Sequence, residues 1–268
     1  MKKSIHILSI LALCLTTALG SAQTEEISVP LSNPGDEGKL TVHVTDGSIT
    51  VEGHNADNVV VIANRRSGGK SHKKREKNGL KKVGDNSLSF TVEEYNNEVK
   101  IRNKASNGLV DFTVKVPRNF SVNLRTVNKG SIRVDGLNGT HEVSNTNGPV
   151  DMTNVGGSVI ADALNKDITV QFSQVFDDTN MMFTSLNGDI DVTFPSNLKA
   201  TIWARSDNGD VYSDFEMVTT KSQQRKENRG SDGVYRVTQE KGITASINGG
   251  GIEIGFKTLN GDILIRSN

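Results

Sequence analysis

Short turn sequences that recur along the chain constrain its fold more than any other feature. Residues 47–53 (GSITVEG) recur as residues 130–136 (GSIRVDG), and residues 186–190 (LNGDI) recur as residues 259–263. Self-similarity of this kind is the sequence signature of an architecture built from repeated supersecondary units. The chain is therefore expected to fold as a stack or array of similar pieces.

Each repeat carries an asparagine at a sharp turn. The asparagines at positions 147, 165, 187 and 208 lie 18, 22 and 21 residues apart. Asn-Gly is the pair that most readily adopts positive φ, so each copy is expected to turn the chain. Apolar and polar residues alternate after the turns, as in residues 190–194 (IDVTF), which predicts strands with one buried face. The predicted structural turns are Asn147-Gly148, Asn187-Gly188, Asn208-Gly209 and Asn260-Gly261.

Two architectures produce short strands joined by such turns. One is an antiparallel β-sandwich, because Asn-Gly between alternating runs is also a strong hairpin signal. The other is a parallel β-solenoid of about 20-residue coils, in which equivalent residues of successive coils lie in register. The nearly constant repeat length favours the solenoid, and the strand-crossover rule predicts that it is right-handed. In a solenoid the turn asparagines are expected to hydrogen-bond along the stack.

The N-terminus predicts export. Lys2 and Lys3 precede a mostly apolar stretch at residues 5–15, and small residues follow at positions 20–22 (GSA). This order is typical of a cleaved signal peptide, and the apolar stretch is too short to span a bilayer, which needs about 20 residues. We assign residues 1–22 to a signal peptide and residues 23–268 to one domain, exported to the periplasm, the outer surface or the medium.

Charge and cysteine content narrow the classes of partner. The 31 basic and 31 acidic side chains balance, whereas a nucleic-acid-binding domain carries a basic excess. Cys14 is the only cysteine, and Leu13 stands where a lipoprotein processing site needs a small residue, so Cys14 is assigned to the signal peptide. We expect no nucleic acid partner, no cofactor and no transmembrane segment in the mature chain.

Two polar segments interrupt the repeats and are predicted to be loop excursions from the stack. They are residues 65–82, where basic side chains far outnumber acidic ones, and residues 221–233, which lack apolar periodicity. Clustered cations attract phosphates, sulfates and carboxylates, so the first loop is a candidate site for an anionic polysaccharide or lipid. Its basic residues are Arg65, Arg66, Lys70, Lys73, Lys74, Arg75, Lys77, Lys81 and Lys82.

Metal-binding patterns are weak. The histidines beyond the signal peptide show no short ligand spacing, and the Asn-Gly-Asp turns lack the dense glycine–aspartate period of calcium-loaded β-rolls. His43 lies in an alternating strand opposite Val42 and Val44, which predicts a solvent-facing residue. The histidines in question are His43, His54, His72 and His141.

Catalytic patterns are equally weak. The sequence contains no nucleophile elbow and no phosphate-binding glycine loop. A glycoside hydrolase would need paired carboxylates, for which Asp189 with Asp191 and Asp210 with Asp214 are available. Asp189 and Asp210 each follow an Asn-Gly, so the turn already accounts for them. We predict no catalytic, cofactor-binding or metal-binding residue.

The repeats resemble a known family. Turns of the form N-G-D-I-x-V, with Pro-x-Asn-apolar units at residues 116–120 (VPRNF) and 194–198 (FPSNL), are similar to the candidate bacterial adhesins built from β-strand repeats. The resemblance extends from about residue 40 to residue 265. It implies a non-enzymatic envelope or surface scaffold for adhesion or interaction. The alternatives are a polysaccharide-active β-helix enzyme and a periplasmic sensor or signalling accessory protein.

The end of the chain predicts a contact surface. Only three residues follow Ile265, with no capping segment behind it. The terminal coil of a solenoid exposes unpaired backbone groups. We therefore expect residues 263–265 to form an open edge that supports weak end-to-end self-association or docking of an envelope protein.

Overall fold

The computed structural model describes residues 24–66, 76–77, 80–81, 88–103, 109–177, 179–229 and 235–268, so the predicted signal peptide lies outside it. The regular structure in these ranges is β-strand, and none of it is a helix able to cross a membrane. The strands are β1 Thr24–Pro30, β2 Gly38–Asp46, β3 Ile49–His54, β4 Asn58–Arg66, β5 Glu76–Lys77, β6 Leu80–Lys81, β7 Phe90–Tyr95, β8 Glu98–Asn103, β9 Leu109–Pro117, β10 Phe120–Asn128, β11 Ile132–Asp135, β12 Asn138–Asn145, β13 Val150–Ala163, β14 Ile168–Val175, β15 Met181–Ser185, β16 Ile190–Phe194, β17 Ala200–Asn208, β18 Val211–Ser213, β19 Met217–Arg229, β20 Tyr235–Ile247, β21 Ile252–Asn260 and β22 Ile263–Ser267.

The strands form two faces. The first face runs in the order β7, β8, β2, β10, β12, the second half of β13, β15, β21, β17, β20 and β19. The second face runs β1, β4, β9, β3, β11, the first half of β13, β14, β16, β22 and β18. A strand of the first face is followed along the chain by a strand of the second, and the pair forms one coil. Coils pair with one another in parallel, so the antiparallel sandwich is wrong for the body of the fold.

The core lies between the two faces. Burial alternates along the strands, and in β9 every second residue is buried. Phenylalanine rings stack on equivalent positions of neighbouring coils, with centroids 5.0 Å apart for Phe172 and Phe194 and 5.1 Å apart for Phe183 and Phe256. Repetition thus builds one continuous apolar core from a chain with few aromatic residues.

The spatial order of the coils differs from their order in the sequence. The coil of β2 and β3 lies between that of β8 and β9 and that of β10 and β11. Likewise, the coil of β21 and β22 lies between that of β15 and β16 and that of β17 and β18. The placement of residues 263–265 at an open edge is therefore wrong. Ile263 and Ile265 are 0% and 1% exposed, because β22 has a parallel neighbour on each side.

Antiparallel strands extend the faces at both ends of the stack. β4 and β1 continue the second face beyond β9, and β7 continues the first face beyond β8. At the other end, β20 and β19 continue the first face beyond β17. The outermost described strand of the second face at that end is β18, which is only three residues long. Short edge strands are a common way to limit edge-to-edge pairing. Weak self-association stays a prediction, but residues 263–265 cannot form the edge for it because they lie inside the stack.

The two predicted excursions differ in structure. Arg65 and Arg66 belong to β4, and Lys77 and Lys81 lie in the two-stranded pair of β5 and β6. Lys70, Lys73, Lys74, Arg75 and Lys82 lie outside the described residues. In the second excursion, residues 221–229 are not an irregular loop, because they belong to β19 and pair with β20. Antiparallel pairing satisfies the backbone of a polar segment without requiring apolar side chains.

Candidate functional site

The turns predicted from the sequence come together along one edge of the stack, here called the turn edge. Six asparagines hydrogen-bond in a row along it, as expected for coils in parallel register. Bonded asparagines are first 19, 18 and 22 residues apart in the sequence. They are then 73 and 52 residues apart, where the coil of β21 and β22 lies between two earlier coils. Each Nδ2–H donates to an Oδ1: Asn147 to Asn128 (2.8 Å), Asn165 to Asn147 (2.8 Å), Asn187 to Asn165 (3.0 Å), Asn260 to Asn187 (2.7 Å) and Asn208 to Asn260 (2.9 Å).

The close approach of neighbouring coils requires the turn glycines. Only Gly261, with φ of 153°, has positive φ among the four predicted turn glycines. A Cβ on any of the four would collide with a carbonyl oxygen of the adjacent coil, and at Gly188 that oxygen, of Lys166, would lie 2.5 Å away. A turn glycine is expected either to hold positive φ or to pack closely against the neighbouring coil. Positive φ applies at Gly261, and close packing is the reason for glycine at Gly148, Gly188 and Gly209.

A valine at Gly188 is expected to lower the free energy of unfolding by about 3 kcal/mol, because its side chain would have to push the backbones of two coils apart. Urea denaturation of the wild type and Gly188→Val measures this change. Gly250→Val is the matched control, since φ is 87° there but a Cβ would meet nothing closer than Thr201 Oγ1 at 3.4 Å. It should lose only the roughly 1–2 kcal/mol of left-handed backbone strain. An unchanged midpoint for Gly188→Val would contradict the coil packing.

The carboxylates that follow the turns hold neighbouring coils together. Oδ1 of Asp189 accepts the backbone N–H of Asp262 at 2.8 Å, and Oδ1 of Asp262 accepts that of Asp210 at 2.9 Å. The negative charges of Asp210 and Asp262 raise the pKa of Tyr212, which lies beside them on the surface. The carboxylate of Asp189 thus has a structural role in the turn edge. Asp210 takes part through its backbone N–H, and its Oδ2 accepts a hydrogen bond from the hydroxyl of Tyr212 at 3.5 Å.

The two other carboxylates considered for acid–base chemistry are also bonded within the stack. Asp191 accepts two hydrogen bonds from Arg266, at 2.7 Å from Nε and 3.0 Å from Nη2, and this hydrogen bonding raises the pKa of Arg266. Oδ1 of Asp214 accepts the backbone N–H of Ser267 at 2.7 Å. The carboxylates of Asp189, Asp191 and Asp214 are therefore bonded between coils, whereas that of Asp210 contacts only Tyr212 among the described residues. No bond among these four carboxylates gives the enzyme hypothesis specific support.

Arg66, one of the predicted anion-binding residues, is bonded to other residues of the protein. It donates to the carboxylate of Asp111 from Nε at 2.9 Å and from Nη2 at 2.8 Å. It also donates from Nη1 to the carbonyl of Lys129 at 2.9 Å and from Nη2 to Oγ of Ser48 at 3.2 Å. Arg66 therefore ties β4 to three coils at the turn edge. Polyanion binding by the rest of residues 65–82 stays a prediction.

The described histidines have separate environments. His141 is fully buried, and its Nε2–H donates to the carbonyl of Gly156 at 3.3 Å while Nδ1 has no partner. Burial lowers the pKa of His141 to about 4. His43 is exposed, as predicted, and contacts Oδ1 of Asn123 through Nε2 at 2.8 Å. Within the described ranges, no group of three or more His, Cys, Asp or Glu residues is placed to hold a metal ion.

The outer side of the first face carries an apolar strip, here called the outer platform and made of Ile160, Met182 and Trp203. Ile160 pairs with Met182, Met182 with Gly255, and Gly255 with Trp203, so these positions form one row across β13, β15, β21 and β17. Ile160 is 48% exposed, and the other two side chains are partly exposed. An outward-facing apolar row across adjacent strands is a candidate binding surface.

Two glycines shape the outer platform. A Cβ on Gly255 would lie 2.5 Å from Sδ of Met182, so the thioether occupies the space above Gly255. A Cβ on Gly242, in β20, would lie 3.0 Å from Nε1 of Trp203, so the indole lies over the main chain there. Glycine inside a strand often marks such a close approach. Gly255, within the alternating run IEIGFK, was the signal in the sequence that could have revealed this site.

Polar rows border the outer platform on both sides. Thr184, Lys257 and Arg205 form the row nearer the turn edge, and Nε of Arg205 donates to Oδ1 of Asp207 at 2.7 Å. On the other side Thr201 pairs with Ser246. Asp162, which pairs with Thr184, and Glu253, which pairs with Thr201, are exposed acidic residues in the same two rows. Hydroxyl, cationic and acidic groups thus flank an apolar centre.

Comparison with solved structures finds similarity to three bacterial proteins at low sequence identity. A crystal structure from Clostridium sporogenes ATCC 15579, described as a candidate cell adhesion protein, is 12% identical, with 92% of this chain and 100% of that chain covered and a TM-score of 0.43. A candidate adhesin from Bacteroides fragilis NCTC 9343 is 9% identical, with 92% and 98% covered and a TM-score of 0.29. A candidate lipid-binding protein from Parabacteroides distasonis ATCC 8503 is 12% identical, with 93% and 98% covered and a TM-score of 0.30.

Among curated proteins, none matches the chain at a significant level. The family model described as Toastrack DUF4097 matches residues 97–255. The matched segment is more than half of the chain and includes the whole outer platform and every asparagine of the turn-edge row except Asn260. The predicted resemblance is therefore confirmed as membership in a family of unknown function, and the N-G-D-I repeat as its signature stays a prediction. The chain belongs to the Toastrack DUF4097 family.

Proposed function

We propose that the protein is a non-enzymatic scaffold of the cell envelope or surface, exported as a right-handed parallel β-solenoid of about 20-residue coils, and that its role is adhesion or interaction. The observation that carries the proposal is the outer platform. It displays Ile160, Met182 and Trp203 on stacked strands, where the backbone ladders fix their spacing. A binding surface built on rigid elements needs little ordering when a partner binds.

The turn edge supports the same role. Asparagine ladders and carboxylate-to-backbone bonds connect successive coils along the edge, so the platform rests on a cross-linked body. The family to which the chain belongs has no established activity, which leaves the described surface as the guide to function. The polysaccharide-active enzyme and the sensor accessory are the alternatives, and no contact in the described residues favours either.

Retention on cell envelopes tests the proposal. Purified mature protein is incubated with envelopes of the source bacterium, and the retained fraction is compared for the wild type and a Met182→Ser, Trp203→Ala double variant. We expect the double variant to be retained at least about tenfold less, because aromatic anchors carry much of the energy of an interface. Tyr212→Ala is the matched control, since Tyr212 is an aromatic residue that is 52% exposed on the other face.

Equal retention of the wild type and the double variant would contradict the proposal. Circular dichroism and thermal midpoints must show that both variants keep their β structure, so that lost retention reports on the surface. Equal loss in Tyr212→Ala and in the double variant would indicate non-specific adsorption and would also count against the outer platform.

A further inference from the structure

The asparagine row of the turn edge ends at Asn208. Along the row, Asn147, Asn187 and Asn260 each use both ends of the side-chain amide, since Nδ2–H donates to one neighbouring coil and Oδ1 accepts from the other. Asn208 donates to Oδ1 of Asn260 at 2.9 Å, and within the described residues its own Oδ1 accepts no hydrogen bond. Its side chain is therefore held by one bond, whereas each of the other three is held by two.

The backbone is less restrained at the same place. After Asn187, the N–H of Gly188 donates to the carbonyl of Asn260 in the next coil at 2.9 Å. Beyond Asn208 the described chain offers no such coil, because β20 pairs with β17 only through residues 200–204. No hydrogen bond from the N–H of Gly209 is found in the part of the chain that the structure describes. The last turn of the row is thus exposed and open on the side where the earlier turns are closed.

An asparagine followed by glycine carries its own nucleophile, which is one reason why asparagine is thermolabile. The backbone nitrogen of the glycine attacks the side-chain Cγ, and glycine, which has no side chain, leaves this approach unhindered. At Asn208 a bond forms between the nitrogen of Gly209 and Cγ, the Cγ–Nδ2 bond breaks, and ammonia leaves with the proton of the attacking nitrogen. Water then opens the five-membered imide at either carbonyl. The products are aspartate and isoaspartate, in which the main chain runs through Cγ.

The attack requires the side chain to rotate until Cγ lies against the following nitrogen. Two bonds oppose that rotation at Asn147, Asn187 and Asn260, so reaction there must wait for a local opening of the stack. Asn248, in the turn between β20 and β21, is held by its Nδ2, which donates to two backbone carbonyls at 2.8 Å and 3.4 Å. Asn138 lies within β12, where pairing with β13 holds its backbone in the sheet.

We infer that Asn208-Gly209 is a site of spontaneous deamidation in the folded protein, and that the other described Asn-Gly pairs are protected by their bonds. The inference does not depend on the proposed interaction function. Conversion of Asn208 removes the donor to Oδ1 of Asn260 and adds a negative charge close in sequence to Asp207 and Asp210. Isoaspartate also lengthens the backbone between β17 and β18. The modification is therefore expected to loosen β18, the outermost described strand of the second face.

Peptide mapping by mass spectrometry measures the rate of deamidation at each pair. The mature protein is incubated at alkaline pH in water enriched in heavy oxygen, either folded in buffer or unfolded in guanidinium chloride. In the unfolded chain the pairs should react at comparable rates, because no structure distinguishes them. In the folded chain Asn208 is expected to react at least about tenfold faster than Asn147, Asn187 and Asn260. Its product should carry one heavy oxygen atom from the water that opens the imide.

Variants assign the product to its site. Asn208→Ser removes the reactive amide and keeps a small polar side chain. In ion-exchange chromatography of aged, folded protein, this variant should lack most of the acidic product that the wild type accumulates. Asn248→Ser is the matched control, because it removes another exposed Asn-Gly pair, and it should accumulate the acidic product as the wild type does. Hydrogen exchange of the acidic fraction should show lost backbone protection in residues 211–213.

The inference is overturned if Asn208 reacts no faster than Asn187 and Asn260 in the folded protein, or if Asn208→Ser accumulates the acidic product at the wild-type rate. Loss of most of the product in Asn248→Ser would move the site to that turn and would also overturn it. Unchanged hydrogen exchange in residues 211–213 of the acidic fraction would contradict the loosening of β18.

Discussion

Deleting residues 252–268 is expected to unfold residues 200–247 as well, although that segment remains intact. Among the described strands, β17 pairs with β20 and β21, and β18 pairs with β22. Removing β21 and β22 therefore breaks every backbone ladder between residues 200–247 and the rest of the stack. It also uncovers Phe183 and Phe194, which pack against Phe256. Burial of each such side chain contributes about 2–3 kcal/mol, so little would hold the segment in place.

Hydrogen exchange followed by mass spectrometry measures this effect. We expect backbone protection to disappear across residues 200–213 and to persist in residues 120–163. The matched control removes an equally long segment, residues 224–240, from the hairpin of β19 and β20 and rejoins it through Asn-Gly. That deletion lies beyond the part of β20 that pairs with β17, so residues 200–213 should stay protected. Full protection of these residues after removal of residues 252–268 would show that the order of the coils is wrong.

Replacing His141 by valine is expected to remove a large part of the acid sensitivity of the fold. His141 lies between Val122 and Val159 in the register of the first face. Burial lowers its pKa from 6.5 to about 4 in the folded chain. As the pH falls below 6.5, the unfolded chain therefore takes up a proton that the folded chain does not. The contribution of neutral His141 to the free energy of unfolding is fully present above pH 6.5 and is lost progressively as the pH falls towards 4. The loss is about 2–3 kcal/mol at pH 4.5.

Urea denaturation at pH 7.5 and pH 4.5 measures this difference. We expect the wild type to lose about 2–3 kcal/mol more than His141→Val between the two values. His43→Gln is the control, because His43 is an exposed histidine on the same face. Parallel pH profiles for the wild type and His141→Val would contradict the buried, neutral state of His141.

The local pattern of the fold could be predicted from the sequence because local rules determine it. The alternation of apolar and polar residues at 190–194 predicted which face of β16 is buried. The repeated Asn-Gly turns predicted the row of hydrogen-bonded asparagines. The order of the coils could not be predicted in this way. Ile190, Ile263 and Ile168 occupy equivalent positions in similar strands, so their apolar pattern fits several neighbours equally well. Which coil lies beside which depends on packing across the whole stack.

The outer platform was missed for a related reason. In β17, Trp203 alternates with buried residues as any outward residue does, so the local pattern does not distinguish it. Its significance comes from Gly255, Gly242 and Met182, which are distant in sequence and adjacent only in the folded sheet. The glycines were visible as interruptions in strand-like runs. Their partners were not, because the register of nonconsecutive coils has no local signature.

The insertion of the last coil also bears on how the chain folds. Hydrogen bonds from residues 260 and 262 reach across 73 residues on one side and 52 on the other. Contacts of such separation form slowly, because a long loop must close before they stabilise anything. During synthesis, residues 200–247 leave the ribosome before the strands that attach them to the stack. Residues 200–268 are therefore expected to fold in one late step, which begins when β21 and β22 pair with β15 and β16. The edge of β16 stays open until that step occurs.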